Sequence, residues 1–338
     1  MSNYTLPDGI TVKNKLGATS HEELERIEAD YVIPRRIEIE LGFGPKGNFD
    51  AAHLKALHRH LFQDVFEWAG HTRDEPVALS DGTIATEPTM RKAGAQPFLI
   101  GPAIPAALDD IGAKLRQADY LRDLRCEEFA ERAADVMAEL NAVHPFREGN
   151  GRTQRVFMEQ LAHSAGHTLD FTVVSKERMI QASVVANEQG DPSMLRRMFD
   201  EISDPARTAL LRESIAGLEG LKFDWNDRYV ATLTPGHTVQ LVFAGTAGDQ
   251  FMGRTQTEIL FGRISDLPEP RPERGETFTV TAAAYASRGE NIARGSQGAG
   301  EETSPDDRLT DDLRVADESA KHDDAPSKTN DRGKGRGR

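Results

Sequence analysis

Cysteine is almost missing from this 338-residue chain, where Cys126 stands alone. One thiol cannot close a disulfide within the chain or build a thiolate metal site, and this usage fits a reducing, cytoplasmic setting. Glu127 and Glu128 follow it directly, which disfavours the thiolate, so Cys126 reads as inert. Long apolar runs are also missing: no stretch of about 18 such residues occurs, which excludes a membrane-spanning helix. The opening residues MSNYTLPDGITVKNKLG lack the basic-then-apolar order of a secretory signal. Positive charge is in deficit, with 41 Lys and Arg against 55 Asp and Glu, a net charge of −14. That balance argues against non-specific binding to nucleic acid and against an anionic membrane surface.

What is there divides into three textures. Residues 1–215 read as one mostly helical domain. HEELERIEADYVIPRRIEIEL has helical spacing interrupted by Pro34, and FDAAHLKALHRHLFQDVFEWAG lays Leu54, Leu57, Leu61 and Phe62 along one stripe. TRDEPVALSDGTIATEP then alternates apolar and polar residues around Ser80-Asp81-Gly82, the pattern of a short β-hairpin. Helical periodicity returns before Pro145, which ends a helix, and again from near Arg152 to Gly166. Residues 222–285 hold TVQLVFAG, TEILFGRI and ETFTVTAAAY, β-prone runs that read as a small β-rich module. From 286 to 338 large apolar residues all but vanish, so the acidic tail with its basic KGRGR tip is expected to be disordered. The histidines His53, His58 and His60 invite a metal reading, but helical geometry spreads them apart. They are expected at the surface or the core edge, with Phe66 and Trp68 as packing residues.

The chemistry concentrates in HPFREGNGRTQR at 144–155. Gly149, Asn150 and Gly151 fall where a loop feeds a helix N-terminus, whose unpaired N–H groups and dipole favour an anion. Arg152 and Arg155 lie three apart on the first turn, able to converge on phosphate oxygens. Glu148 offers a hard carboxylate suited to Mg2+ on a polyphosphate. His144 is the group that can accept a proton near neutral pH. Phe146 is expected to anchor the loop.

This stretch resembles the signature of the Fic (filamentation induced by cAMP) family, HxFx[D/E]GNGRxxR, at every fixed position. The resemblance extends over the helices from about 20 to 205 and FQDVFEWAG, and implies that the hairpin is the family's flap. The fold implied is mainly α: a Fic-type helical domain with a β-hairpin flap, then a small OB-like β module, then the disordered tail. The activity implied is protein adenylylation, in which a protein hydroxyl attacks the α-phosphorus of ATP and pyrophosphate leaves. On that reading His144 is the general base and Glu148 holds Mg2+. Gly149, Asn150, Gly151, Arg152 and Arg155 bind the phosphates. Doc-type kinases carry Ala-Asn-Lys where this chain has Gly-Asn-Gly, so nucleotidyl transfer is favoured; a phosphocholine-transferring variant of the family stays open.

The flap, about Thr72 to Thr86, would receive an extended target by main-chain pairing, with Thr72, Arg73, Val77, Leu79 and Ile84 as target-binding residues. Many family members carry an inhibitory [S/T]xxxE[G/N] helix. Thr19 to Glu23 has the spacing, but Leu24 follows where Gly or Asn belongs. The resemblance therefore implies a bacterial toxin inhibited by a separate small antitoxin protein, with a type II topoisomerase (DNA gyrase or topoisomerase IV) as the leading target. Two alternatives remain: a type IV secreted effector acting on host small GTPases, and a non-catalytic nucleotide-binding regulator. The 222–285 segment lacks a dense basic face with interleaved aromatics, so no direct nucleic-acid contact is expected.

Overall fold

The computed structural model describes residues 3–91 and 97–285, so the tail assigned from 286 onward lies outside the described residues. Helix α1 spans His21–Glu40. Its start explains the TSHEE sequence: the Ser20 hydroxyl accepts from the Glu23 N–H at 3.2 Å, while the Glu23 carboxylate accepts from the Thr19 N–H at 2.9 Å. This is a variant of the capping box whose return bond falls on Thr19, one residue before the cap, and it satisfies the Glu23 N–H that the first helical turn leaves unpaired. Pro34 does not interrupt α1, contrary to the sequence reading. A proline costs a helix interior about 3 kcal/mol, and burial of Leu24, Val32 and Ile39 on one face offsets that loss.

Helix α2 spans Ala51–Phe62, capped by Asp50, whose carboxylate accepts from the His53 N–H at 2.9 Å. The hairpin follows as β1 (Val77–Ala78) and β2 (Ile84–Ala85), antiparallel, with Val77 opposite Ala85 and Ala78 opposite Ile84. Next come α3 (Ala103–Gln117), α4 (Cys126–Val143), α5 (Asn150–Ser164), α6 (Lys176–Gln189), α7 (Ser193–Ile202) and α8 (Pro205–Gly220). Helix α4 lies against α3, α5, α6 and α7, and α2 lies against α1, α3 and α5. The helical part thus runs to 220 rather than 215. Among the described residues no helix is long and apolar enough to cross a membrane.

The β module is a five-stranded sheet: β3 (Tyr229–Thr232), β4 (Thr238–Ala247), β5 (Gln250–Arg254), β6 (Glu258–Arg263) and β7 (Thr277–Thr281). The order is β3-β6-β5-β4-β7, with β3 parallel to β6 and the other neighbours antiparallel. The sequence runs cover β4, β6 and β7 but not β3 and β5: β3 is only four residues long, and β5 has no β-branched residue and carries a glycine. Leu241, Phe243, Phe251, Leu260, Phe278 and Val280 fill its own core. Five strands suit an OB-like module, but β3 and β7 are not paired with each other, so the sheet stays open.

Buried charges join the two parts. Glu201 of α7 pairs with Arg178 of α6 and with Arg207 of α8, and accepts from the Thr232 backbone N–H on β3. Arg207 Nε also donates to the Thr232 hydroxyl at 2.9 Å. Burial alone would raise the Glu201 carboxyl; the two guanidinium groups and the Thr232 bonds hold it below the usual range instead.

Candidate active site

His144 sits immediately after α4 as its C-cap, in the left-handed conformation at φ 44°, ψ 64°. Its N–H closes the last turn on the Leu140 carbonyl at 3.0 Å. A non-glycine residue there costs about 1–2 kcal/mol, and Pro145 beyond it blocks any continuation of the helix. The His144 ring stacks on Phe98, centroids 3.9 Å apart and planes within 6°. Phe98 lies just past the flap and went unnoticed in the sequence, because nothing in its local pattern marks it.

Asn150 begins α5 and turns its side chain onto the loop before it. Its Oδ1 accepts from the Phe146 N–H at 2.9 Å, and its Nδ2 donates to the Phe146 carbonyl at 2.7 Å. The amide is thus tied at both ends to Phe146 and folds the loop, a role the motif alone did not assign to it. Gly149 is likewise fixed from within. Its φ is +80°, and a Cβ would fall 2.4 Å from the Phe62 ring. Gly151 differs: a Cβ there meets nothing within 4 Å, so the open side of the α5 N-terminus lies at this residue.

Arg152 and Arg155 are both buried. Arg152 lies over the Phe62 ring at 4.6 Å and pairs with Glu28 of α1 at 3.0 Å, and with Glu148 at 3.8 Å. Its charge is therefore already met in part by the protein. Glu28 carried a signal that went unread: Leu24, Glu28 and Val32 recur every four residues, all buried, so an acid interrupts an apolar stripe. Buried acids need partners.

Glu148 is partly exposed, and its Oε1 accepts from the Gly149 N–H at 2.9 Å. Its carbonyl is held by His58, which is fully buried in α2 rather than at the surface or core edge. His58 Nδ1 accepts from the Gly70 N–H at 2.8 Å, so Nε2 carries the proton and donates to the Glu148 carbonyl at 3.0 Å. The ring stacks on Phe146, centroids 3.8 Å apart. Burial pushes its pKa down to about 3, which keeps it a neutral donor. His53 is buried as well, and His60 reaches Glu38 at 3.0 Å. Among the described residues no group of three or more His, Cys, Asp or Glu could cage a metal. One partly exposed carboxylate still fits Mg2+, which takes one or two protein carboxylates and completes its shell with phosphates and water.

The flap is where the sequence placed it, but its named residues divide. Ile84 is exposed and Val77 half-buried, available to a partner. Thr72 and Arg73 are buried at 2% and 0% exposure at the flap's root, and Leu79, at 6%, closes the hairpin turn by donating to the Thr83 carbonyl at 2.8 Å; their burial corrects their assignment as target contacts. Arg147, a spacer position in the motif, is buried and pairs with Glu87 on the flap's descending limb at 2.8 Å. Phe66 and Trp68 are buried and stack with centroids 4.4 Å apart, as packing residues.

Residues 48–162 match the model of the Fic/DOC family. The chain is 36% identical over 288 residues to a protein adenylyltransferase of Bartonella henselae, covering 83% of this chain and 52% of that protein. It is 33% identical to a probable protein adenylyltransferase Fic of Salmonella typhimurium, covering 60% of this chain and 93% of that relative. In structure it is similar to the type IV secretion system effector protein BepA at a TM-score of 0.74 and 34% identity, over 84% of this chain and 97% of that one. A BepC protein from Bartonella tribocorum, solved with bound AMPPNP, is 41% identical at a TM-score of 0.58, over 60% of this chain and 97% of that one. The chain spans about half the length of the B. henselae relative. On the motif, the fold and these likenesses together, it belongs to the Fic/DOC family.

Proposed function

We propose that this chain is a protein adenylyltransferase that moves AMP from Mg-ATP to a hydroxyl side chain of another protein. The observation that carries the reading is a juxtaposition: His144 closes α4 in the left-handed conformation and α5 begins six residues later, with the flap rooted on the same loop. Base, anion site and target rest share one frame. The names of the B. henselae and S. typhimurium relatives support it, as does the ATP analogue bound to the BepC protein.

On this reading His144 takes the proton of the target hydroxyl. The hydroxyl oxygen bonds to the α-phosphorus, and the bond from that phosphorus to the β-phosphate's bridging oxygen breaks, releasing pyrophosphate. The backbone amides at the α5 N-terminus, open at Gly151, receive phosphate oxygens. Arg152 and Arg155 supply positive charge, and Glu148 would hold Mg2+, which neutralises phosphate charge. Such transfers draw most of their acceleration from positioning and electrostatics. Incubation with bacterial lysate and labelled ATP tests the reaction. Label from α-32P-ATP on protein, with none from γ-32P-ATP, is the expected result; the reverse would establish a kinase.

For partners, we propose a type II topoisomerase subunit as target and a small inhibitory protein acting in trans. The capping role of Glu23 supports the latter, since TSHEE is used up in starting α1. Toxicity on expression, relieved by a neighbouring small protein, is the expected outcome; unrelieved toxicity counts against it. A second reading, an effector passed by type IV secretion to act on host small GTPases, is favoured by the BepA likeness. Its 84% coverage exceeds what the helical part alone can supply. Labelling of a small GTPase in eukaryotic lysate, without a topoisomerase band in bacterial lysate, would select it.

A further inference from the structure

We propose that Arg73 is the positioning residue that sets the base and the flap in one frame. The proposal rests on the adenylyltransferase reading for its kinetic part only. A guanidinium carries five N–H donors in a fixed fork, and here all five meet backbone carbonyls. Nε donates to His144 at 2.9 Å; one terminal nitrogen donates to Glu87 at 3.2 Å and Pro88 at 2.8 Å; the other donates to Leu99 and, at 3.4 Å, to Val143. The Arg73 backbone adds two more ties, donating to the Pro145 carbonyl at 2.8 Å and accepting from the Glu87 N–H at 2.7 Å.

These partners are not scattered. Val143, His144 and Pro145 are the end of α4 and the base itself. Glu87 and Pro88 are the flap's descending limb, and Leu99 adjoins Phe98, on which the His144 ring stacks. Arg73 therefore grips the base by its backbone and, through Leu99, grips the ring that fixes its side chain. Glu87 is held a third time, by the Arg147 ion pair. Among the described residues no carboxylate hydrogen-bonds to the Arg73 guanidinium, so its recognition is of carbonyl geometry rather than of charge. A buried arginine meant only to stabilise the core could bond anywhere; this one spans the two elements that must align a target hydroxyl with its base. Lysine, with three donors on a single nitrogen, cannot span them.

The test compares the full chain with its Arg73→Lys and Arg73→Gln variants, the second in case the first does not fold. AMPPNP affinity with Mg2+ should stay within about threefold, because the α5 N-terminus is untouched, while AMP transfer at saturating ATP falls on the order of 100-fold. In NMR the His144 imidazole protons, shielded by the Phe98 ring, should move toward their unstacked positions. A folded variant that transfers AMP at the wild-type rate overturns the proposal, as does loss of AMPPNP binding in proportion to loss of rate. Should the wild type transfer no AMP, the functional reading fails separately. The imidazole signal then decides, and an unchanged His144 resonance overturns the positioning role.

Discussion

Gly149 and Gly151 look alike in the sequence and do different work. Both suggest a loop opened for phosphate, yet only Gly151 borders open space, whereas Gly149 is demanded by a positive φ and by the Phe62 ring. Gly149→Ala should cost about 2–4 kcal/mol, from overpacking and left-handed strain. Gly151→Ala should change stability by less than about 1 kcal/mol while weakening AMPPNP binding. Urea unfolding and calorimetry separate the two. His58 yields a second prediction at this scale. Its folded pKa of about 3 lies below the unfolded value of about 6.5, so protonation favours the unfolded chain. Stability is full above pH 6.5 and falls as pH drops from there toward 3. By pH 4.5 this group alone accounts for about 2–3 kcal/mol. His58→Gln, measured by thermal unfolding between pH 7.5 and 4.5, should show a correspondingly shallower decline. A decline as steep as the wild type's would place the acid sensitivity elsewhere.

At the scale of elements, the family was legible because the motif's residue types and spacing are specific, and the helical stripes of α2 and α4 were legible from their period. Long-range pairings were not. Glu28 lies more than a hundred residues from Arg152, and only the charge inside the Leu24–Val32 stripe hinted at a partner. Arg73 sits in a hairpin-like run whose alternation suggested exposure, and only the tertiary structure shows five carbonyls around it. Pro34 misled for the opposite reason, since packing along α1 outweighs one missing hydrogen bond. The flap gives the element-scale prediction. Ile84 is exposed on β2, so Ile84→Asp should leave unfolding within about 0.5 kcal/mol of wild type and lower AMP transfer to a protein target by about tenfold. Transfer at the wild-type rate would mean the target rests elsewhere.

At the scale of the whole molecule, the β module is not a loosely tethered appendage. Val230, Phe261 and Tyr285 belong to the same apolar cluster as the helices, and the Arg178–Glu201–Arg207 group reaches β3 through Thr232. Its edges were readable from composition, but the joint was not, because its three charges come from three helices and meet a neutral strand residue, Thr232. Glu201→Gln removes the shared carboxylate from two buried arginines and should cost about 3–5 kcal/mol, read as a lower urea midpoint of one transition spanning both parts. A separate, unshifted transition for either part would show that they fold independently.

The central claim is that His144, poised by the end of α4, is the base for AMP transfer. It is tested most directly by single-turnover transfer from α-32P-ATP with the wild type and His144→Ala at matched AMPPNP affinity. The account predicts a rate lower by about 100- to 10,000-fold in the variant with nucleotide binding kept. Equal labelling by the two proteins would contradict it.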